Sequence, residues 1–487
     1  MSVKAAWALI RSGLHCRLHA PYQPAGVTWM LEREFSGCVR GGVLADEMGL
    51  GKTIMTIAIT IGNPKQSTLV VVPNSVIGQW KRAFNQFAGM DVLVLTSSDV
   101  NGGKVSSETM AGARVLLTTY SVFNSYSNTE RANPLVELRF GRIVLDEAQY
   151  IKNVNSRLHI EIMRLTGDVK WCLTGTPVTR HQNDFKSLMW FIGVCKEMAI
   201  FDMAEICKQY VLRRTKDDIS KQVERLRLPP IEITLVESEF RHDKEREMYD
   251  DLVACGQQML AAFQVNNQRR RNAMFEQVLR LRQCVTNPQL VLNGLHKKDH
   301  AEGPPPLWGH GSTKLDMLRE QLLAQPADEK TLIFGHWTYE LDAIQTLISD
   351  LGRRSVRLDG SMTLVQRDAT IAMFGQDADL NVMVIQIECG GVGLNLQMAT
   401  RVYINSLHWN ATSELQAIGR AHRTGQTQKV FVKRLAITPS IDDNILELQG
   451  GKLKVASIVL SDPRIQTQLM ENAHVEPMLN NLMRIFT

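Results

Sequence analysis

Short runs of Val, Ile and Leu recur along the chain, and polar turns or stretches with helical spacing separate them. The runs are apolar throughout and do not alternate with polar residues, which is typical of strands buried on both faces of a parallel sheet. In the first half they are Leu69–Val72, Val92–Leu95, Val115–Thr119, Ile143–Leu145 and Trp171–Leu173; in the second half they are Thr331–Phe334, Val356–Leu358, Val382–Ile387, Val402–Ile404 and Val430–Val432. This rhythm predicts an α/β fold with two lobes, each a parallel sheet flanked by helices.

The segment between the two lobes differs from both of them. Residues 183–290 have the pattern of long, charge-rich helices, and residues 296–311 contain Pro304, Pro305 and Pro306, a composition typical of a linker. A length of 487 residues suits two or three domains. We therefore expect a first lobe over residues 1–225, a helical insertion and linker over 226–311, a second lobe over 312–460 and a tail over 461–487.

The composition is that of a globular protein, with 44% hydrophobic and 22% charged residues. No stretch offers the ~20 consecutive apolar residues of a membrane-spanning helix. We therefore expect a soluble, intracellular protein that does not act at a membrane. No two of the eight cysteines are closer than twelve residues. This spacing excludes Cys-x-x-Cys zinc modules and argues against a disulfide framework, so we expect no zinc.

The net charge of +5 says little by itself, but the basic residues cluster. Residues 208–227 include Arg213 and Arg214, and residues 266–284 include Arg280 and Arg282. Both stretches could face phosphate, or both could be solvated helix faces. The sequence leaves these two interpretations open.

Residues 41–53 form a glycine-rich segment that ends in Gly49-Leu50-Gly51-Lys52-Thr53. This ending has the form of a phosphate-binding loop, although Asp46 stands where the strict pattern has glycine. Glycines let backbone N–H groups close around phosphate oxygens, Lys52 would reach the β- and γ-phosphates, and the Thr53 hydroxyl would bind Mg²⁺. A helix predicted from about Ile54 to Ile61 would direct its N-terminus at the anion.

Two acids, Asp146 and Glu147, follow the apolar run Ile143–Leu145. Ligands gather at the carboxyl ends of the strands in this class of fold, so this pair is expected near the phosphate-binding loop. Asp146 would hold Mg²⁺, directly or through water. Glu147 would orient and deprotonate the attacking water.

Arg420 and Arg423 lie three residues apart in the segment Gln416–Gln426. That spacing predicts that they share one face of a helix. Two guanidiniums directed the same way suit the negative charge of a phosphoryl-transfer transition state, where one arginine can accelerate the reaction by ~10³–10⁵. A salt-bridged surface pair is the alternative.

Taken in order, these segments resemble the Swi/Snf family of helicase-like ATPases in helicase superfamily two. The similar segments extend from about Leu18 to Ala456. In chain order they are Pro21–Gln23 with Trp29 (adenine recognition), Asp46–Thr53 (motif I, where aspartate is usual), Val71–Ser75 with Trp80 (Ia), Thr118–Tyr120 (Ib), Asp146–Gln149 (II), Leu173–Pro177 (III), Leu212–Asp217 (a family hallmark), Thr331–Phe334 (IV), Leu358–Ser361, Gly390–Asn395 (V), Trp409-Asn410 and Gln416–Gln426 (VI).

The resemblance implies two RecA-like P-loop NTPase lobes with helical insertions between them and a C-terminal brace helix. It implies that ATP and Mg²⁺ bind in the cleft and that a DNA duplex lies across both lobes. The implied catalytic residues are Lys52, Asp146, Glu147, Arg420 and Arg423; the implied Mg²⁺ ligands are Thr53 and Asp146; the implied ATP contacts are Gln23, Asp46, Glu47, Met48, Gly49, Leu50, Gly51, Lys52 and Thr53. Contacts to the DNA backbone are implied at Asn74, Ser75, Thr118, Thr119, His336, Gly360, Ser361 and Gly391.

The implied activity is ATP hydrolysis coupled to movement along double-stranded DNA without strand separation. Such movement remodels or strips protein–DNA complexes in transcription, chromatin remodelling or DNA repair. The sequence has no cysteine-rich RING insert and no room for accessory chromatin-binding domains, so we expect a minimal motor that a protein partner directs to its target. A eukaryotic member is expected in the nucleus, and a viral or microbial one wherever DNA is handled.

Some positions depart from the family pattern. Glu388 and Cys389 stand where motif V commonly has a basic residue and alanine, and an acid there would weaken a phosphate contact. Gly450-Gly451 interrupts the expected brace helix. Two alternatives remain: a strand-separating DNA or RNA helicase, disfavoured by Leu212–Asp217, and a non-catalytic DNA-binding scaffold, disfavoured by the intact ATPase residues.

Overall fold

The computed structural model describes residues 2–19, 21–101, 105–126, 133–175, 182–194, 203–220, 229–262, 268–300, 302–390, 396–423 and 425–450. These residues form two compact units, which divide between Arg227 and Leu228. Each unit is built around its own parallel sheet.

The sheet of the first unit contains seven of the described strands, all parallel to their neighbours. They are β1 (Gly41–Leu44), β2 (Thr68–Val72), β3 (Leu93–Leu95), β4 (Val115–Thr119), β6 (Arg142–Asp146), β8 (Lys170–Leu173) and β9 (Val211–Leu212); the short β5 (Arg139–Phe140) and β7 (Thr166–Gly167) pair separately. The order across the sheet is β3-β4-β2-β6-β8-β1-β9. The carboxyl ends of β6, β8 and β1 are therefore neighbours at one edge.

Helices connect and cover these strands. They are α1 (Val3–Gly13), α2 (Tyr22–Phe35), α3 (Lys52–Gly62), α4 (Ile77–Ala88), α5 (Ser97–Asn101), α6 (Ser107–Gly112), α7 (Tyr120–Tyr126), α8 (Pro134–Glu137), α9 (Arg157–Met163), α10 (Gln182–Ile192), α11 (Met203–Tyr210) and α12 (Lys216–Ser220), with 3₁₀ turns at Asn74–Val76 and Ala148–Ile151. The apolar α3 is buried from Met55 to Gly62. This burial fixes the helix that starts at the phosphate-binding loop.

The second unit has a six-stranded parallel sheet among its described residues, in the order β10-β15-β14-β11-β13-β12. The strands are β10 (Ile231–Ser238), β11 (Thr331–Gly335), β12 (Ser355–Leu358), β13 (Val382–Gln386), β14 (Arg401–Ile404) and β15 (Val430–Ile437). The helices are α13 (Asp243–Ala262), α14 (Gln268–Thr286), α15 (Gln289–Lys298), α16 (Thr313–Ala324), α17 (Thr338–Asp350), α18 (Leu364–Gln376), α19 (Ile387–Gly390) and α20 (Ala411–Ala421). Residues 441–450 are also helical.

The predicted α/β class with two RecA-like lobes is confirmed. Each of the ten apolar runs coincides with a strand, although Val92 and Ile387 lie one residue outside β3 and β13. The helical interpretation of residues 183–290 is wrong at β9 and β10. β10 lies at the edge of its sheet, so Ile233 and Leu235 remain 49% and 36% exposed, and polar Glu232 and Thr234 interrupt its apolar residues. Helix α3, which follows the phosphate-binding loop, begins at Lys52, two residues before the start predicted at about Ile54.

The helical insertion packs within the second unit. Met274, Val278 and Leu281 of α14 are buried in the same core as Leu332 and Phe334 of β11. In the predicted linker, α15 continues to Lys298, and residues 302–311 have neither helix nor strand. The predicted brace helix is described only over residues 441–450; Gly451 and the predicted tail lie outside the described residues. In the part of the chain that the structure describes, no helix has the length and apolar character needed to cross a membrane.

Candidate functional site

The phosphate-binding loop connects β1 to α3, and its glycines adopt conformations that other residues rarely take. Gly49 and Gly51 have φ angles of 90° and 84°. A Cβ atom on Gly51 would lie 2.3 Å from Nε2 of Gln23, so glycine is also required there by close packing. The loop therefore has the backbone freedom that phosphate binding by N–H groups needs.

Gln23 lies against this loop. Its Nε2 donates to the carbonyl of Leu50 (3.2 Å) and to the hydroxyl of Tyr22 (3.3 Å), and its Oε1 accepts from the backbone N–H of His19 (2.7 Å). The side chain is buried, with 3% exposed. Adenine recognition by Gln23 stays a prediction, and it would require some of these bonds to be exchanged for bonds to the base.

Lys52 lies at the start of α3, with Thr53 next to it. The Lys52 ammonium donates to the carbonyl of Asp46 (2.7 Å). Burial lowers the pKa of this ammonium, while the nearby carboxylates of Glu147, Asp146 and Asp46 act in the opposite direction. Lys52 is thus held close to the two acids of motif II, as the predicted site requires.

β6 ends at Asp146, and Glu147 follows it directly; Glu147 is buried, with 7% exposed. Burial, and then the neighbouring Glu147 carboxylate, raise the pKa of Asp146 to about 7, whereas a hydrogen bond from Trp80 and the Lys52 ammonium favour its ionised form. Glu147 has a left-handed backbone (φ 51°), which is unusual for a residue other than glycine. Such outliers concentrate at functional sites.

Two aromatic side chains hold Asp146 in place. The indole Nε1 of Trp80 donates to Oδ2 of Asp146 (2.7 Å), and the hydroxyl of Tyr120 donates to the Asp146 carbonyl (2.8 Å). The Tyr120 ring stacks on that of Tyr150, with ring centroids 4.8 Å apart. The sequence placed Trp80 and Tyr120 in motifs Ia and Ib but gave no sign that both reach the acid of motif II.

A hydrogen-bonded relay connects motifs II and III. Gln149 donates to Oε2 of Glu147 (2.7 Å) and accepts from the hydroxyl of Thr174 (2.8 Å). Beside this relay, a Cβ atom on Gly175 would lie 3.5 Å from Cγ of Met48 and 3.8 Å from Nζ of Lys52. Gly175 of motif III therefore lies beside the phosphate-binding loop. Thr176 and Pro177 lie outside the described residues.

The basic hallmark segment supports the loop. Arg214 forms an ion pair with the fully buried Asp46, donating from Nε to Oδ1 (3.0 Å) and from Nη2 to Oδ2. Arg213 donates to the carbonyl of Ala45 (3.1 Å), and the backbone N–H of Lys216 donates to Oε2 of Glu47 (2.8 Å). Asp46, which breaks the strict P-loop pattern, therefore anchors an arginine. The solvated-face interpretation is wrong for Arg213 and Arg214, which are partly buried and bonded to the loop, and the phosphate-facing interpretation stays a prediction.

The residues predicted to contact DNA in the first unit separate into two groups. Thr118 has no exposed surface, and its hydroxyl donates to the carbonyl of Leu95 (3.0 Å); Thr119 is 4% exposed. Neither side chain is free to reach a DNA backbone in this arrangement, so a contact at these two positions stays a prediction that would require their exposure. Asn74 is exposed and Ser75 is partly exposed, so both stay predictions.

In the second unit, the two arginines of motif VI do not share a helix face as predicted. Arg420 is in the last turn of α20, but the helix ends at Ala421 and Arg423 follows it. The chain turns there, because Gln426 donates to the carbonyl of Arg423 (3.0 Å) and Gly425 has a φ of 105°. Arg420 is 3% exposed, and burial lowers the pKa of Arg423.

The remaining predicted DNA contacts lie at the carboxyl edge of the second sheet. Nδ1 of His336 lies 2.7 Å from Oε1 of Glu388, so the acid that departs from the motif V pattern faces a predicted DNA contact. Gly360 and Ser361 are exposed, and Ser361 donates twice to Oδ1 of Asp359 (2.8 and 2.6 Å). These contacts stay predictions. Gly391 lies outside the described residues.

Two arginines of α14, Arg280 and Arg282, are structural. Arg280 and Arg282 are 8% and 2% exposed, so the phosphate-facing and solvated-face interpretations are both wrong for them. The Arg282 guanidinium lies 4.3 Å from the ring centroid of Trp409 and 5.2 Å from that of Trp337, and it donates to the carbonyl of Leu407 (3.1 Å). Burial lowers its pKa to about 10.

Comparison with known proteins matches two parts of the chain to family models. The family model described as the SNF2-related domain matches residues 22–202, and the model described as the helicase conserved C-terminal domain matches residues 313–425. The SWI2/SNF2 ATPase core of Sulfolobus solfataricus, solved in complex with dsDNA, aligns with a TM-score of 0.41 and 24% identity, covering 96% of this chain and 97% of that chain.

Curated relatives cover most of the chain at low identity. A probable global transactivator of Orgyia pseudotsugata multicapsid polyhedrosis virus is 28% identical over 85% of this chain and 86% of its own length. The DNA repair protein RAD5B of Arabidopsis thaliana is 24% identical over 89% of this chain but 46% of its own length. The putative ATP-dependent helicase/translocase YwqA of Bacillus subtilis is 29% identical over 96% of this chain and 50% of its own length. The chain thus spans about half of the latter two relatives. The chain thus carries an SNF2-related domain followed by a helicase conserved C-terminal domain, and these two domains are what it shares with the SNF2 family of helicase-like ATPases.

Proposed function

We propose that this protein is an ATPase stimulated by double-stranded DNA, and that it uses ATP hydrolysis to move along the duplex and to remodel or strip protein–DNA complexes. The observation that carries the proposal is the site of the first unit, where Lys52, Asp146 and Glu147 lie together in a network of hydrogen bonds. A scaffold without catalysis would have no need to keep two buried acids within electrostatic range of a buried ammonium.

The chain's own residues account for the reaction. The glycine-rich loop and Lys52 would bind the β- and γ-phosphates. Glu147, oriented by Gln149, would take a proton from the attacking water. Arg420 and Arg423 would stabilise the negative charge that spreads over the transferred phosphoryl group.

The oxygen donors of the site fit Mg²⁺. A carboxylate from Asp146 and a hydroxyl from Thr53 are hard ligands of the kind this ion prefers. Burial beside Glu147 raises the pKa of Asp146 to about 7, and a bound cation would favour the ionised form. When bound, Mg²⁺ would neutralise charge on the phosphate oxygens.

The preference for duplex DNA rests on the likeness to the SNF2 family, on the exposed positions Asn74, Gly360 and Ser361 and on the partly exposed Ser75. Contacts through the DNA backbone carry no sequence information, so binding would be independent of sequence and sensitive to salt. A protein partner would choose the complex to be moved, in the nucleus of a eukaryote or wherever viral or microbial DNA is handled.

The test is steady-state ATP hydrolysis at fixed salt with no nucleic acid, duplex DNA, single-stranded DNA or RNA. We expect strong stimulation by duplex DNA and none in Lys52→Ala. Stimulation mainly by single strands or RNA would favour a strand-separating helicase. Absence of hydrolysis under every condition would favour a non-catalytic scaffold.

A further inference from the structure

Three potential metal ligands meet at the carboxyl edge of the second sheet. His336 follows β11 directly, Glu388 lies in α19 just after β13, and His408 follows β14. β11 pairs with both β13 and β14, so these three strand ends are neighbours. Ligands of parallel sheets bind at such an edge.

We propose that His336, Glu388 and His408 form a binding site for a divalent transition-metal ion of the Zn²⁺ type. One ligand atom from each residue lies within 4.8 Å of the other two. Two imidazoles and one carboxylate, with a fourth position open, form a common ligand set for this ion. Bonds of about 2 Å would place the ligand atoms about 3 to 4 Å apart, which small side-chain rotations achieve.

The metal-free contacts of His336 support the site. Its Nδ1 lies 2.7 Å from Oε1 of Glu388, yet within the described residues nothing meets this buried nitrogen with hydrogen-bond geometry. The backbone N–H of His336 donates to Oε2 of Glu340 (2.7 Å), which fixes its position. A cation shared with Glu388 would give this nitrogen a partner.

Backbone groups hold the His408 ring in place at this edge, and the residue is buried, with 9% exposed. Its Nδ1 lies 2.9 Å from the backbone nitrogen of Asn410 and 3.2 Å from the Asn410 carbonyl. The ring can therefore accept there when metal-free and donate there when Nε2 binds the ion. The backbone N–H of His408 donates to Glu414 (2.7 Å).

The surrounding charge favours a cation. The carboxylates of Asp442, Glu340, Glu388 and Glu414 act on the buried Arg282 guanidinium. Asp442 also pairs with Lys314 (2.7 Å), and Glu414 pairs with Arg434 (2.9 Å). Four carboxylates thus face three cationic groups before any metal binds. Our expectation of no zinc came from the cysteine spacing, which carries no information about a site of histidines and a carboxylate.

The experiment is a titration of the full-length, tag-free protein with Zn²⁺ and Co²⁺ after EDTA treatment, in excess Mg²⁺ so that oxygen-only sites are filled. Calorimetry would give the stoichiometry, and Co²⁺ absorption would report nitrogen ligation. We expect one ion per chain, bound at least about tenfold more weakly by Glu388→Gln and by His336→Gln. The Glu388 side chain is 46% exposed, so its variant should fold, and circular dichroism would verify this.

The matched control is His242→Gln. Nε2 of His242 lies 2.7 Å from Asp316 in the same unit, and no third ligand joins this pair within the described residues. We expect its affinity to equal that of the wild type. Absence of stoichiometric binding, or equal binding by all three variants, would overturn the proposal. No ATPase residue is involved, so this outcome is independent of the proposed function.

Discussion

At the carboxyl edge of the first sheet, one ammonium lies close to two carboxylates; the same edge of the second sheet carries two imidazoles, one carboxylate and a nearby buried guanidinium. Both edges belong to parallel sheets whose buried residues include many Val, Ile and Leu. The first edge keeps the residues of the family's ATPase motifs. The second edge replaces a basic residue expected in motif V with Glu388, which pairs with His336.

At each edge, burial shifts the pKa of one group in the direction that favours its neutral form. It raises the pKa of Asp146 to about 7 and lowers that of His408 to about 4, so each group tends towards its neutral form near neutral pH. At the first edge Lys52 and the hydrogen bond from Trp80 oppose the effect of burial, and with both in place the pKa of Asp146 is still about 7. The difference indicates that the first edge is built to hold an anionic ligand with its cation, whereas the second favours a metal over direct contact with phosphate.

The largest effect should come from Arg423→Ala, which asks whether the second unit takes part in the chemistry of the first. We expect kcat to fall by ~10³–10⁵ with little change in ATP affinity, because the contact is made in the transition state. Steady-state kinetics and nucleotide binding would measure the two effects. Arg319→Ala, at a 43% exposed position in the same unit, is the control. An equal loss of ATP binding would contradict the assigned role.

The next largest effect should come from Glu147→Gln at the first edge. We expect turnover to fall by ~10²–10⁴ while ATP and DNA still bind, because the amide cannot accept the proton from water. Glu161→Gln removes a carboxylate that pairs with Arg164 (2.9 Å) on the surface, and it should leave turnover unchanged. Turnover near that of the wild type in Glu147→Gln would exclude this residue as the base.

The sequence predicted the sheets well, because continuous runs such as Thr331–Phe334 are buried on both faces and leave a strong apolar signal. It missed β10, since this exposed edge strand has polar residues such as Glu232 and Thr234 between its apolar ones. It identified Lys52, Asp146 and Glu147 from local motifs. It could not identify Trp80 and Arg214 as partners of Asp146 and Asp46, because these pairs are 66 and 168 residues apart in the chain.

The bond from Trp80 gives a smaller effect at the first edge. Trp80→Phe removes a hydrogen bond to a charged group, worth about 1.5–3 kcal/mol. We expect the Mg²⁺ concentration for half-maximal hydrolysis to rise by about tenfold or more. Losing this donor would raise the pKa of Asp146 further above about 7, so a proton would compete more strongly with Mg²⁺ and the defect should grow as the pH falls.

The matched control for Trp80 is Trp7→Phe. Its indole also donates one hydrogen bond in the first unit, to the hydroxyl of Thr28 (3.1 Å), away from the acids. We expect its Mg²⁺ dependence to match that of the wild type. Equal shifts in both variants would mean that Trp80 acts through general stability and does not position Asp146.

The smallest expected effect concerns the acid at the second edge. Glu388→Arg replaces the negative charge with the basic character expected in motif V, so it should strengthen duplex binding a few-fold at low salt. One added phosphate contact steepens the dependence of log affinity on log salt by about 1. Binding would be measured across salt concentrations without nucleotide and with EDTA, so that no metal occupies the site. Glu388→Gln removes the charge without adding a cation, so its affinity should rise less and its salt slope should stay closer to that of the wild type. If both variants bind DNA as the wild type does, the duplex does not approach this edge, and the pair of His336 with Glu388 serves another purpose than excluding phosphate.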